Sequence, residues 1–133
     1  MKKKSYTGFV LGMLVYMAAL MSIALIPKAD EQIVMRLVML LTVWCMAWLS
    51  FHVWRTEQIY WYNGTTYEAA EAAGSERRKA FAWKHFRLFG FFALLQTVLS
   101  CATYLLGWSA WIDFTFATVG LIVAACSTIP IKL

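Results

Sequence analysis

Gln96, Ser100 and Thr103 recur at steps of four and three residues inside an apolar run, a spacing that stacks them on one face of a helix. Gly107 continues the same face. Within a bilayer, amide and hydroxyl groups so placed either line a path for a polar solute or hydrogen-bond to a neighbouring helix, and such bonds average ~0.6 kcal/mol. His85 stands near the start of that run, where an imidazole at the mouth of a path could pass a proton. These four residues are the candidates for a ligand or transport path.

Asp113 and Arg36 are the charges that intrude furthest into two other apolar runs. The simplest chemistry for them is an ion pair that pins one helix to another. A sharper alternative makes Asp113 a proton- or cation-binding carboxylate at a gate. Proton-coupled transporters place their acid near the midplane, and no acid falls there in this sequence. His52 and His85 fall at similar depths and could share a metal, but two imidazoles without a carboxylate or thiolate make a thin site. Met13, Met17 and Met21 recur every fourth residue, and Met35, Met39 and Met46 nearly do so beside Cys45. Soft sulfur ligands select Cu(I), yet methionine stripes serve more often as adaptable packing. No metal and no cofactor are therefore assigned.

The stretch "GSERRKAFAWKHFRLFG", residues 74–90, concentrates the positive charge. Arg77, Arg78, Lys84 and Arg87 form a basic collar suited to lipid phosphates, each contact worth about 1 kcal/mol. With His85 they are also the residues a minimal enzyme of lipid headgroups would use. The motifs HExxH, GxSxG, Walker A and GxGxxG are all missing, as are paired midplane acids, so no catalytic residue is assigned. Nothing in the sequence indicates a nucleic-acid partner.

The elements that must position these groups are set by composition. The 133 residues are 62% hydrophobic and 14% charged, with a mean hydropathy of +0.63, against roughly 45–50% and about 25% for soluble domains. The apolar residues gather into four blocks at 6–26, 33–54, 88–106 and 112–131, each close to the ~20 residues that cross a bilayer core. The expected fold is an all-α integral membrane protein, a compact bundle of four transmembrane helices forming one domain over residues 1–133. The first block resembles a signal peptide but is too long, and "SIALIPKAD" lacks a small-x-small cleavage pattern.

Ten of the twelve Lys and Arg residues fall at the N-terminus, at the C-terminus or in the 55–87 connection, leaving Lys28 and Arg36 for the other side. By the positive-inside bias, both termini and that connection face the cytoplasm, most simply across a bacterial cytoplasmic membrane. Trp54, Trp61 and Trp83 mark the inner interface and Trp108 and Trp111 the outer, while Trp44 and Trp48 lie deeper. Within the connection, Asn63-Gly64 signals a turn, and Thr65 with Glu68 forms a capping box. A short interfacial helix then runs over 66–73 and Gly74 ends it. Ser75 caps a helix that continues into the third span. The sequon-like "NGT" faces the cytoplasm and is discarded.

Gly8 and Gly12, and Ala117, Gly120 and Ala124, are small-residue stripes that let helix backbones approach. Cys45, Cys101 and Cys126 form no CxxC pair and read as packing thiols. Four such helices enclose little space, so a conduit would need several copies. The sequence therefore points first to an oligomeric transport or channel-like protein for a small solute or ion. An accessory or regulatory subunit of a larger membrane complex comes second, and the lipid-headgroup enzyme third. Its expected partners are anionic lipids of the cytoplasmic leaflet, further copies of itself, or a larger membrane protein.

Overall fold

Asp30, Thr66 and Ser109 start three of the helices because each side chain takes up amide groups that no helical carbonyl can reach. Asp30 accepts from the backbone of Gln32 at 2.7 Å, Thr66 from Ala69 at 3.1 Å, and Ser109 from Trp111 at 3.3 Å. The computed structural model describes residues 4–27, 30–62 and 64–133. The charges of Lys2, Lys3 and Lys28 and the Asn63 half of the expected turn lie outside those residues. Among the described residues five helices follow in order: α1 Thr7–Ala24, α2 Glu31–Thr56, α3 Tyr67–Ala72, α4 Gly74–Leu105 and α5 Ala110–Thr128, with one 3₁₀ turn at Ile59–Trp61. Helices α1, α2, α4 and α5 are long and apolar enough to cross a membrane.

Two local expectations are corrected. The cap of α3 is Thr66 rather than Thr65, because the helix begins one residue later than the capping-box pattern suggests. Ser75 does not cap α4, whose first turn has no side-chain cap; its hydroxyl is drawn instead to Glu57 Oε1 at 2.8 Å.

Helices α2, α4 and α5 pack against one another, whereas α1 touches only α2 among the helices. The centre of the trio is built from small and aromatic residues: Val43 and Ala47 of α2, Phe89, Phe92 and Ala93 of α4, and Ala117 and Ala124 of α5. Within lipid no hydrophobic gain drives helices together, so close van der Waals packing must hold them. The small residues provide it. A Cβ at Gly120 would strike the ring of Phe92, and one at Gly12 the ring of Trp48. A Cβ at Gly8 would come within 2.8 Å of His52 Nε2. Thus Gly8 and Gly12 seat α1 on α2, while Gly120 seats α5 on Phe92 of α4 and Ala117 and Ala124 join the core beside it.

The two ends of the bundle are closed differently. At one end α4 stops in a Schellman motif: Gly107 takes φ +68°, Gly107 N–H donates to Tyr104 at 3.1 Å and Trp108 N–H to Thr103 at 2.8 Å. At the other end the 57–73 connection folds back over a second cluster of Val53, Ile59, Tyr60, Ala70, Phe81 and Ala82. The backbone of Ser5 is fastened there by Tyr60 Oη, which lies 2.9 Å from its amide and 3.0 Å from its carbonyl.

Candidate functional site

The polar residues of the trio meet in one place. Asp113, in the first turns of α5, is fully buried, as are Gln96 and Thr103 of α4, while Ser100 and Arg36 are almost so. Arg36 of α2 reaches across with Nε 3.2 Å from Asp113 Oδ2 and donates through Nη2 to the Trp108 carbonyl. The Nε approach lies off the N–H axis, so attraction between the charges dominates over an aligned hydrogen bond. Thr103 Oγ1 donates to the same Oδ2 at 2.8 Å, and Gln96 Nε2 donates to the Asp113 carbonyl at 3.3 Å. Gln32 Oε1 accepts from Ala110 N–H at 2.6 Å. One turn of α2 thereby grips the α4–α5 turn through two side chains, and the ring of Tyr104 stands 5.8 Å from the guanidinium.

This clamp unites two groups of residues that the sequence suggested separately, Gln96/Ser100/Thr103 and Arg36/Asp113. It does not include His85. That residue lies eleven positions before Gln96, about 16 Å along the helix, stacked on Tyr62 at 4.2 Å and against Phe81 at 4.5 Å. Its Nδ1 is 3.0 Å from the Phe81 carbonyl, which satisfies one nitrogen within its own helix. His52 belongs to a different aromatic group, between Trp48 and Trp61 at 5.4 and 5.5 Å. Among the described residues, no three of His, Cys, Asp and Glu converge. The methionines diverge as well: Met17 and Met21 face outward, while Met39 packs on the core.

Within the clamp, Asp113 Oδ1 and Gln96 Oε1 have no hydrogen-bond partner. Two buried acceptors without donors are costly, at about 1–3 kcal/mol for each unsatisfied group. The ion pair and the Thr103 bond must outweigh them.

The basic collar divides. Arg77, Lys84 and Arg87 are exposed. Arg78 turns inward, and its guanidinium holds Glu57 Oε2 through Nε at 3.0 Å and Nη2 at 2.8 Å, with Nη1 on the Ala70 carbonyl at 3.0 Å. Arg78 therefore ties α4 to α3 and to the end of α2, and it leaves the collar. Glu57 was missed in the sequence, although it is the one acid between Glu31 and Glu68. It sits at φ +60°, a left-handed turn that few non-glycine residues adopt, and its carboxylate also meets Lys79 at 3.6 Å.

Burial alone would raise the Glu57 carboxyl. The hydrogen bonds of Ser75 and Arg78 and the charges of Arg78 and Lys79 outweigh that and hold it below the ordinary carboxylate range. Nearby, burial pushes the Tyr62 phenol up to about 12. A depressed carboxyl stabilises the fold fully above its unfolded value and loses that stabilisation as pH falls through its folded value. The melting midpoint of the purified protein should therefore stay level from about pH 8 to about pH 5 and fall below about pH 4. Glu57→Gln should start lower and show a smaller acid step. An acid step of unchanged size in that variant would remove Glu57 from this role.

Open grooves line the sides of the bundle. One of about 800 Å³ runs between α4 and α5, and one of about 570 Å³ between α1 and α2 contains Trp48 and His52. Neither is lined by Gln96, Thr103 or Asp113. Comparison with known proteins finds no family model, no curated protein and no solved structure that matches the chain.

Proposed function

We propose that this chain is an accessory subunit of a larger membrane complex, with both termini and the 57–73 connection on the cytoplasmic side. The observation that supports the reading is the sealed state of the polar clamp. Gln96, Thr103, Asp113 and Arg36 are buried against one another and the α4–α5 turn, and even the oxygens left without a donor, Asp113 Oδ1 and Gln96 Oε1, do not line the α4–α5 or the α1–α2 groove. A polar solute would have no lined route through one copy. What the fold does offer is a close-packed trio of helices, a peripheral α1 with Leu14 and Val15 more than half exposed, and three outward cations in the first turns of α4. Those features suit docking against another membrane protein and anionic lipid in the same leaflet.

A second reading, the oligomeric conduit for a small solute or ion, is favoured by the placement of α1. A helix that packs on neither α4 nor α5 leaves lateral surface for further copies, and a path would then run between copies. Native mass spectrometry of the protein released gently from its own membrane separates the two readings. A stoichiometric complex with a different chain is expected for the subunit. A closed ring of this chain alone, with loss of flux on Gln96→Leu, would replace that reading by the conduit. In the subunit reading Gln96→Leu is close to neutral, because it removes an unpartnered oxygen together with one long hydrogen bond.

A further inference from the structure

We infer that the groove between α4 and α5 is a binding site for one anionic phospholipid, with an acyl chain in the groove and the headgroup on Lys84. The inference depends on the membrane reading and not on the choice between subunit and conduit.

The groove's own chemistry selects an apolar occupant. Its two hydroxyls are already committed to their own helix: Thr115 Oγ1 donates to the Trp111 carbonyl and Ser127 Oγ to the Val123 carbonyl, each at 2.8 Å. The one donor left in the lining is the Trp111 indole N–H, at the end of α5 far from Lys84, so most of the groove offers nothing to a polar ligand, and an extended peptide backbone laid there would leave its own groups unpaired. Gly120 deepens the floor, since the Phe92 ring occupies the space where a side chain would stand. The α5 wall runs from Trp111 to Ser127, about 24 Å of helix. This exceeds half of a ~30 Å hydrocarbon core, so a chain from one leaflet meets wall along its whole length.

The mouth selects the headgroup. Along α4 the groove face starts at Leu88 and continues through Phe91, Phe92 and Leu95. Helical spacing places Lys84 on that same stripe one turn earlier and Arg77 two turns before Lys84. Both are exposed, and neither is in an ion pair among the described residues. The segment from Ala80 to Leu88 contains no acid to compete for Lys84. Arg87 lines a different and smaller groove, of about 490 Å³, between α2 and α4. A cation aligned with the end of an apolar channel matches an amphiphile with an anionic head, and the surrounding membrane supplies that molecule at high concentration.

The test is native mass spectrometry of the full chain in mild detergent, titrated with phosphatidylglycerol or with phosphatidylcholine of the same acyl chains. Wild type should retain one lipid and favour the anionic one about fivefold, as expected for ~1 kcal/mol per interfacial cation. Lys84→Gln should abolish that preference while keeping the adduct. Val123→Trp fills the groove from an exposed position and should lose both adducts with the melting midpoint unchanged; Val119→Trp gives the same reading independently. Arg55→Gln, an exposed cation on α2, should behave as wild type. The inference is overturned by equal retention of the two lipids in wild type, or by a preference that survives Lys84→Gln. It is equally overturned by adducts that survive both tryptophan variants, or by a homodimer that replaces the lipid adduct and disappears with Val123→Trp.

Discussion

Arg36→Met is expected to destabilise the folded protein by about 3–5 kcal/mol, the range seen when one partner of a buried ion pair is removed. The loss comes mainly from what remains. Asp113 is fully buried, its Oδ1 is already without a partner, and Thr103 alone would face a carboxylate inside the helix trio. The Trp108 carbonyl would also lose the donor it takes from Nη2. Arg36→Met combined with Asp113→Leu removes both charges and should recover most of the loss, to within about 1 kcal/mol of wild type. Arg36→Lys keeps a charge but lacks the planar fork that serves Asp113 and Trp108 together, so it should fall between. Unfolding in mixed micelles of wild type, Arg36→Met, Asp113→Leu and the double variant completes a double-mutant cycle, with Arg36→Lys measured beside it. A single-variant cost below about 1 kcal/mol, or a double variant no better than the single, would mean that the pair does not hold the bundle.

The second large effect is expected at Gly120. A methyl group there would occupy the same space as the Phe92 ring, which is buried and lies 5.9 Å from Phe116 in a stacked arrangement. Gly120→Ala should cost about 1–3 kcal/mol, as overpacking of a close-packed interior does. Its signature is reciprocal rescue: Phe92→Leu creates a gap and is destabilising alone, yet it should regain stability when paired with Gly120→Ala. Gly90 is a useful contrast, because its added Cβ would meet only the Phe86 ring, at 3.6 Å, an ordinary contact. Gly90→Ala should therefore be neutral or stabilising in the same assay, by virtue of helix propensity. Equal costs at the two glycines would show that backbone effects, rather than Phe92, explain the loss.

Much of the fold was legible because apolar block length carries the signal in a membrane chain. The four long helices follow the four blocks, and Pro27 and Gly107 stand at their breaks. That the helix following Gly74 runs unbroken into the third span was also readable, since Ala80 to Leu88 contains nothing that breaks a helix. The order of packing was not. Periodicity tells which residues share a face, but the hydrophobic contrast that orients a soluble helix is missing when lipid and protein are equally apolar. Nothing in α1 therefore announced that it would lean on α2 and the Ile59–Trp61 turn rather than on α4 or α5.

The same limit applies to the polar groups. Gln96, Ser100, Thr103, Asp113 and Arg36 stood out individually, because polar groups are costly in such runs. Their convergence required knowing that α2 crosses the α4–α5 turn. Arg78 was grouped with Arg77 by composition alone. Helical rotation turns neighbouring residues by about 100°, and that rotation sends one to solvent and the other to Glu57. The Glu57 knot had a faint signal, a solitary acid directly after an apolar block and upstream of a basic run. The left-handed backbone that aims its side chain had none.

The distance along the chain between the clamp's members has a consequence for how the protein is made. Arg36 finds its carbonyl partner 72 residues downstream, at Trp108, and its carboxylate later still. At about 5–20 residues per second of synthesis, α2 leaves the ribosome some 4–14 s before that partner exists. During this interval a guanidinium must wait near the membrane surface, with its long side chain stretched toward water. Assembly thus has a built-in order: α1 and α2 enter first as a provisional hairpin, and the arrival of α5 draws the charge inward and locks the trio. A chain halted before α5 would display an unmatched cation, the kind of mark by which a cell's insertion and quality-control machinery can tell an unfinished membrane protein from a finished one.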